Sequence, residues 1–169
     1  IRQGQTHRKR PSKNLDMLLI DSRGDFHVLQ KSDPQALTAL LEDGDNPILN
    51  AFTFGPALVV DGAVQGMPDS YPFNIRRPEP RAAIGQVGPL SYVMVVVDGR
   101  RDDSPGVTVE ELARFMEELG CLQAFNLDGG NSATMVFQDA FYSRKTAASE
   151  RSVSDIIYFA SAVDPAAWQ

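Results

Sequence analysis

The chain has 169 residues and a mass of 18.5 kDa; 43% of the residues are hydrophobic, 22% are charged, and the net charge is −6. That is the length of one domain with enough apolar content for a core. No apolar run approaches the ~18 residues of a membrane span. The single cysteine, Cys121, excludes an intrachain disulfide and disfavours a cysteine-based zinc site.

The charge is uneven. Residues 1–13 carry five bases and no acid, leaving −11 on the remainder. An acidic body argues against nucleic acid as a partner. Residues 1–13 are read as a basic, flexible leader, 14–163 as the domain and 164–169 as a tail. No signal-peptide pattern precedes the folded part, and Ile1 is not a start residue. The chain therefore reads as a fragment or a processed product.

Residues 14–31 predict a hairpin, Met17–Ile20 and Phe26–Leu29 around Ser22-Arg23-Gly24-Asp25. Residues 33–43 predict a helix, with Asp33 as cap, Pro34 at the first position and Leu37, Leu40 and Leu41 at helical spacing. Ala57–Val60 and Ala63–Gln65 flank Asp61-Gly62, a strong hairpin signal. Residues 67–80 hold four prolines and predict a long loop, a candidate for substrate selection.

Residues 81–97 predict two strands around Gly88-Pro89. The run Val93–Val97 suits a central strand buried on both faces. Residues 108–119 predict a helix whose Thr108 and Glu111 have capping-box spacing, with Leu112, Phe115, Met116 and Leu119 as its buried stripe. Strands are expected over 121–127, 133–137 and 153–160. The whole predicts an α+β fold, a mixed, mainly antiparallel curved sheet packed with two helices.

Two loops concentrate chemistry. Val97-Asp98-Gly99-Arg100 and Leu127-Asp128-Gly129-Gly130-Asn131-Ser132 each follow an apolar strand, so their carboxylates stand at the sheet's rim. Glycines there admit a ligand and offer N–H groups to an anion, and the Ser132 hydroxyl adds a donor. Asp-Gly is also ordinary turn chemistry, and Asp61-Gly62 is read that way. Antiparallel pairing about Gly88-Pro89 would bring Arg81 near Val97 and Asp98. Arg81, Arg100 and Arg151 are candidates to grip phosphate or to form ion pairs. His7 and His27 stand near no nucleophile or metal-type cluster. Cys121 reads as buried and inert.

Five blocks then resemble, in order, the phosphodiester glycosidase family: Pro80-Arg81-Ala82-Ala83-Ile84-Gly85, Val95-Val96-Val97-Asp98-Gly99-Arg100, Val107-Thr108-Val109-Glu110-Glu111-Leu112-Ala113, Asn126-Leu127-Asp128-Gly129-Gly130-Asn131-Ser132-Ala133-Thr134-Met135 and Glu150-Arg151-Ser152-Val153. Gly55-Pro56-Ala57-Leu58-Val59 matches a further strand of the family pattern. The likeness runs from about residue 14 to 160. Here Ala82 replaces a usual threonine, and Asn131 a usual glycine or serine. The family also carries an N-terminal portion with an Asn-Gly motif, absent from these residues. The resemblance thus implies a C-terminal segment whose site draws on chain outside it.

The resemblance implies hydrolysis of a sugar-1-phosphodiester, such as an N-acetylglucosamine-1-phosphodiester, to free sugar and a phosphomonoester. It implies Asp98 and Asp128 as the catalytic carboxylates, their roles not yet divided. It implies Arg81, Arg100, Asn126, Gly129, Gly130, Ser132 and Arg151 as substrate or phosphate contacts. No metal ligand and no cofactor are called for, and the location implied is secreted or cell-envelope, with an envelope or exopolysaccharide glycan as substrate. Two other readings stay open. One is a module that binds an anionic glycan without turnover. The other is a metal-dependent phosphodiesterase using Asp98, Asp102, Asp103 and Asp128 around a hard divalent cation.

Overall fold

A computed structural model describes residues 1–7, 14–144 and 151–159. Strands β1 (Asp16–Asp21) and β2 (Phe26–Leu29) form the expected hairpin, and β3 (Ile48–Phe54) pairs with the other side of β1. Helix α1 (Pro34–Glu42) intervenes, with the Asp33 carboxylate accepting the N–H groups of Gln35 and Ala36. The second sheet has the order β5-β4-β8-β6-β7, where β4 is Ala57–Val60, β5 Ala63–Val64, β6 Arg81–Gly88, β7 Ser91–Val97 and β8 Gln123–Leu127. Every ladder in it is antiparallel. The β4–β5 turn takes positive φ at both Asp61 (50°) and Gly62 (76°), the backbone that Asp-Gly hairpins require.

Helix α2 (Val109–Glu118) starts in a complete capping box: the Thr108 hydroxyl accepts the Glu111 N–H, and the Glu111 carboxylate accepts the Thr108 N–H. It covers one face of the five-stranded sheet, packing Leu112, Ala113 and Met116 on Leu58, Val59, Ala83 and Ala124. The three-stranded sheet covers the other face, with Leu18, Phe26 and Val28 against Ile84 and Phe125. Helix α1 lies outermost, its Leu37 and Leu40 on Met17, Leu19 and Ile48. Complete burial of Phe125 or Leu18 contributes about 2–3 kcal/mol each. Among the described residues no helix is long and apolar enough to cross a membrane.

Four expectations need correction. The valine run 93–97 forms β7, an edge strand and not a central one. Its Val93, Val95 and Val97 pack toward the α2 core, while Met94 is exposed. The central strands are β6 and β8. In α2 the buried stripe is Val109, Leu112, Ala113 and Met116; Phe115 and Leu119 are exposed, because the helix meets the sheet one residue round from the expected face. The strand expected over 133–137 shrinks to β9 (Val136–Phe137), paired with β10 (Ala140–Phe141) in an exposed hairpin. Residues 153–159 form no strand, though Phe159 stacks on Tyr92 with ring centres 5.5 Å apart; Ala160 and the tail lie outside the described residues.

Of the basic leader, residues 8–13 lie outside the described residues. Its first residues dock on β3: the Ile1 carbonyl accepts the Ala51 N–H at 3.1 Å, and the Gly4 N–H donates to Leu49 O at 2.8 Å. Arg2 pairs with Asp155 at 3.1 Å.

Candidate active site

The antiparallel order puts four chain segments at one rim of the five-stranded sheet. β6 begins there at Arg81, opposite Val97 of β7, and Ala82 lies opposite Leu127 of β8. Asp98 and Asp128 therefore leave the sheet on either side of Pro80-Arg81. Two inter-strand spacings separate their strands, about 10 Å. The start of β4 completes the rim, because Asn126 and Gly55-Pro56 exchange three hydrogen bonds: Gly55 N–H to Asn126 O at 3.1 Å, Asn126 N–H to Pro56 O at 3.3 Å, and Asn126 Nδ2 to Gly55 O at 2.7 Å.

The glycines of both loops serve close packing around Pro80. A Cβ at Gly99 would lie 2.6 Å from Pro80 N, and one at Gly129 would lie 2.5 Å from Pro80 O. Neither distance is tolerable, so both positions exclude a side chain. Gly130 donates its N–H to the same Pro80 oxygen at 2.8 Å. That N–H is committed to the fold and not offered to an anion. A short 3₁₀ turn, Gly130–Ser132, follows, and the Ser132 hydroxyl is enclosed with no partner among the described residues.

The two carboxylates differ. Asp98 is 21% exposed at its side chain and is gripped by Arg144, whose N–H donates to Oδ1 at 2.9 Å and whose Nε donates to Oδ2 at 2.8 Å. The Arg144 hydrogen bonds hold its carboxyl below the usual carboxylate range. Arg144 Nη1 also reaches Asp103 at 2.6 Å, so one guanidinium links two acids. Asp128 is more open, with a side chain 48% exposed, and among the described residues its ion-pair partner is Arg151 at 3.7 Å.

The arginines divide likewise. Arg81 is 4% exposed and, among the described residues, sends no hydrogen bond to a carboxylate. Its Nε donates to Val107 O at 3.1 Å, and its Nη2 donates to Asn74 O at 3.0 Å and Arg77 O at 2.9 Å. It ties the 74–77 loop and the entry to α2 onto the sheet. Burial pulls its pKa down, yet a guanidinium stays charged. Arg100 is half-exposed and bridges the two loops, with Nε to Glu79 at 2.5 Å and Nη1 to Asn131 Oδ1 at 3.0 Å. Arg77, Arg100 and Arg101, with Glu79 and Asp102, line an open pocket of about 410 Å³. Asn126 is fully enclosed.

Sequence reasoning missed Glu79 and Arg144. Glu79 sits between two prolines and carries only generic loop character. Arg144 belongs to no motif, and only the fold brings it to Asp98 across 46 residues. Among the described residues no group of three or more His, Cys, Asp or Glu side chains is placed to hold a metal ion. In particular, Asp98 and Asp103 are turned onto Arg144.

Several known proteins are similar to this chain in sequence or fold. A Bacillus subtilis (strain 168) protein, the SPbeta prophage-derived uncharacterized protein YomE, is 32% identical over 108 residues, which are 64% of this chain and 17% of that one. The catalytic domain of zebrafish N-acetylglucosamine-1-phosphodiester alpha-N-acetylglucosaminidase, auto-inhibited by its pro-peptide, superposes with a TM-score of 0.59 at 23% identity, over 80% of this chain and 47% of that one. A hypothetical protein from Synechocystis superposes with a TM-score of 0.51 at 17% identity, over 80% of this chain and 32% of that one. At such identities the superpositions speak for the fold, and the chain spans less than half the length of each relative. The phosphodiester glycosidase sequence pattern matches residues 1–160, which takes in both Asp-Gly loops and the Pro80-Arg81 strand between them, and the chain belongs to the phosphodiester glycosidase family.

Proposed function

We propose that the chain hydrolyses a sugar-1-phosphodiester at the glycosidic bond. Water adds to the anomeric carbon, the C1–O bond breaks, and the bonding pair leaves with the phosphate. The products are free sugar and a phosphomonoester. The observation that carries this reading is the convergence of Asp98 and Asp128 on either side of Pro80-Arg81, with arginines gathered beside them. Phosphate is a competent leaving group, so the reaction needs little general-acid help. It needs a carboxylate at the anomeric centre and cations on the phosphate.

Asp128, the more open acid, meets the anomeric carbon or its attacking water. Asp98, held ionised by Arg144, stabilises positive charge developing at the ring. Arg100, beside Arg77 and Arg101, holds the phosphate, and Arg151 joins it from the Asp128 side. Arg81 and Asn126 act by position, fixing the two loops. Gly129, Gly130 and the Ser132 hydroxyl shape the floor between them. N-acetylglucosamine-1-phosphodiesters are the first substrates to test, in line with the activity in the zebrafish protein's name. Following the family resemblance, we place the reaction in the cell envelope or outside the cell, on a glycan carrying such a linkage.

A second reading, a glycan-binding module without turnover, draws on one observation. Arg144 engages both oxygens of Asp98. The test is product analysis on an N-acetylglucosamine-1-phosphodiester with the wild type, Asp98→Asn and Asp128→Asn. Free N-acetylglucosamine, lost in the variants, supports the glycosidase. Sugar-1-phosphate as product overturns it in favour of P–O cleavage. Binding with no product favours the module.

A further inference from the structure

A second cavity, of about 860 Å³, opens at the same rim on the far side of Asp128 from the arginine pocket. Its walls are three segments: Asn14 to Asp16 with Gln30 and Lys31, the Pro56-Ala57 start of β4, and loop 66–72. We propose that this cavity is a glycan subsite, taking two or more sugar rings on the sugar side of the scissile bond. The inference rests on the glycosidase reading for what sits at Asp128, and it names the substrate as an oligosaccharyl-1-phosphodiester.

Position gives the first argument. Pro56 accepts the N–H of Asn126, two residues before Asp128, so the cavity wall abuts the Asp128 strand. The arginine pocket lies beyond β6, on the other side of that strand. A phosphodiester with its phosphate on Arg100 and its anomeric carbon at Asp128 has its sugar directed over Pro56 into the cavity.

Rigidity gives the second. The Tyr71 hydroxyl accepts the Asp16 N–H at 2.9 Å and donates to Phe54 O at 2.5 Å. The buried Asp16 carboxylate accepts the N–H groups of Lys31 at 2.7 Å and Ala57 at 2.8 Å. All three walls are thus cross-tied before any ligand arrives, which lowers the ordering cost of binding. Lys31 is held at φ 51°, an uncommon conformation for a side chain of its size.

Chemistry gives the third. Pro68 and Tyr71 offer flat apolar surface, while Lys31, Asp69 and Ser70 offer an ammonium, a carboxylate and a hydroxyl. Flat faces beside mixed donors and acceptors match a pyranose, with its apolar ring face and its hydroxyl edge. The arginine pocket has no aromatic face and no hydroxyl, and three of its seven lining residues are arginines. The volume lies toward the upper end of the ~300–1,000 Å³ usual for ligand sites, more than one ring fills.

The test is a microarray of neutral, acidic and N-acetylated mono- and oligosaccharides, probed with the whole chain as wild type, Ser70→Trp, Lys31→Ala and Asp128→Asn. Ser70 and Lys31 are exposed, so both substitutions spare the core, and the thermal midpoint checks folding. Wild type and Asp128→Asn should retain a set of oligosaccharides of two or more rings. Ser70→Trp and Lys31→Ala should bind them at least about tenfold less, a loss of ~1.4 kcal/mol. An array without oligosaccharide signal, or with signal unchanged in both cavity variants, overturns the proposal. Binding on the array needs no turnover. Cavity-dependent capture with no product in the cleavage assay would therefore leave the subsite standing and remove the glycosidase.

Discussion

Gly129→Ala is the sharpest test of how the rim is built. Gly129 has φ −104° and ψ −147°, at the margin of the extended region open to alanine, so a modest backbone cost joins a larger steric one. The new Cβ would lie 2.5 Å from Pro80 O and 3.3 Å from Arg81 Cα, whereas ordinary contact begins at 3.4 Å. The loop and Pro80 must part by almost 1 Å, and both contacted atoms are backbone. Such overpacking costs about 1–3 kcal/mol. The same movement stretches the Gly130 N–H bond to Pro80 O, now 2.8 Å, which adds about 1 kcal/mol. For a chain of this length a loss of ~2–4 kcal/mol lowers the thermal midpoint by about 4–16 °C. The assay is thermal unfolding followed by circular dichroism, with Gly44→Ala as control, since a Cβ there meets nothing within 4 Å. Cleavage should fall with the midpoint, because Asp128 moves with the loop. A Gly129→Ala midpoint equal to that of Gly44→Ala would refute the packing of the two loops on Pro80.

Arg81→Lys keeps the charge but loses the fork that serves three carbonyls, and should destabilise by about 1–3 kcal/mol in urea titration. Thr108→Ala removes one half of the α2 capping box and should cost about 1 kcal/mol by the same measurement. The Asp98–Arg144 pair gives a pH signature. Asp98 has its folded pKa below the unfolded value near 3.9, so the pair stabilises fully above that value and loses its contribution as pH falls through the folded one. The stability gap between wild type and Arg144→Gln should be widest near pH 7 and close below about pH 4; a gap constant to pH 3 would refute it.

Much of the fold was legible because local signals agreed with it. Asp61-Gly62, the Asp33 cap and the Thr108–Glu111 box each specify their element with a few adjacent residues. The Arg81–Val97 register followed from one turn at Gly88-Pro89. What misled was composition read without context. An unbroken valine run means two covered faces only when strands flank it on both sides, and among the described residues β7 has a neighbour on one side only. Candidate site residues could be named from the sequence, but not the way each is held. Arg81 and Asn126 look like ligand contacts in sequence because charge and amide are polar. In the structure both are buried and donate to backbone oxygens, which suits the positioning role proposed for them. Arg144 was invisible because its partner lies 46 residues away and no periodicity joins them.

How each side chain is held bears on how the two acids share the chemistry. A carboxylate with both oxygens bonded to one arginine is a fixed negative charge: it stays ionised, and taking up a proton would cost it that pairing. Such a group stabilises a nearby cationic centre but serves poorly as a base. A carboxylate half-open to solvent, with a cation at 3.7 Å, keeps an oxygen for water. Under the proposed reaction these unequal environments assign stabilisation to Asp98 and water activation to Asp128, as they do for paired carboxylates elsewhere. On that logic Asp128→Asn removes the step itself. Asp98→Asn keeps shape but loses charge, and its defect should be largest for substrates whose leaving phosphate departs earliest, where the ring carries the most positive charge.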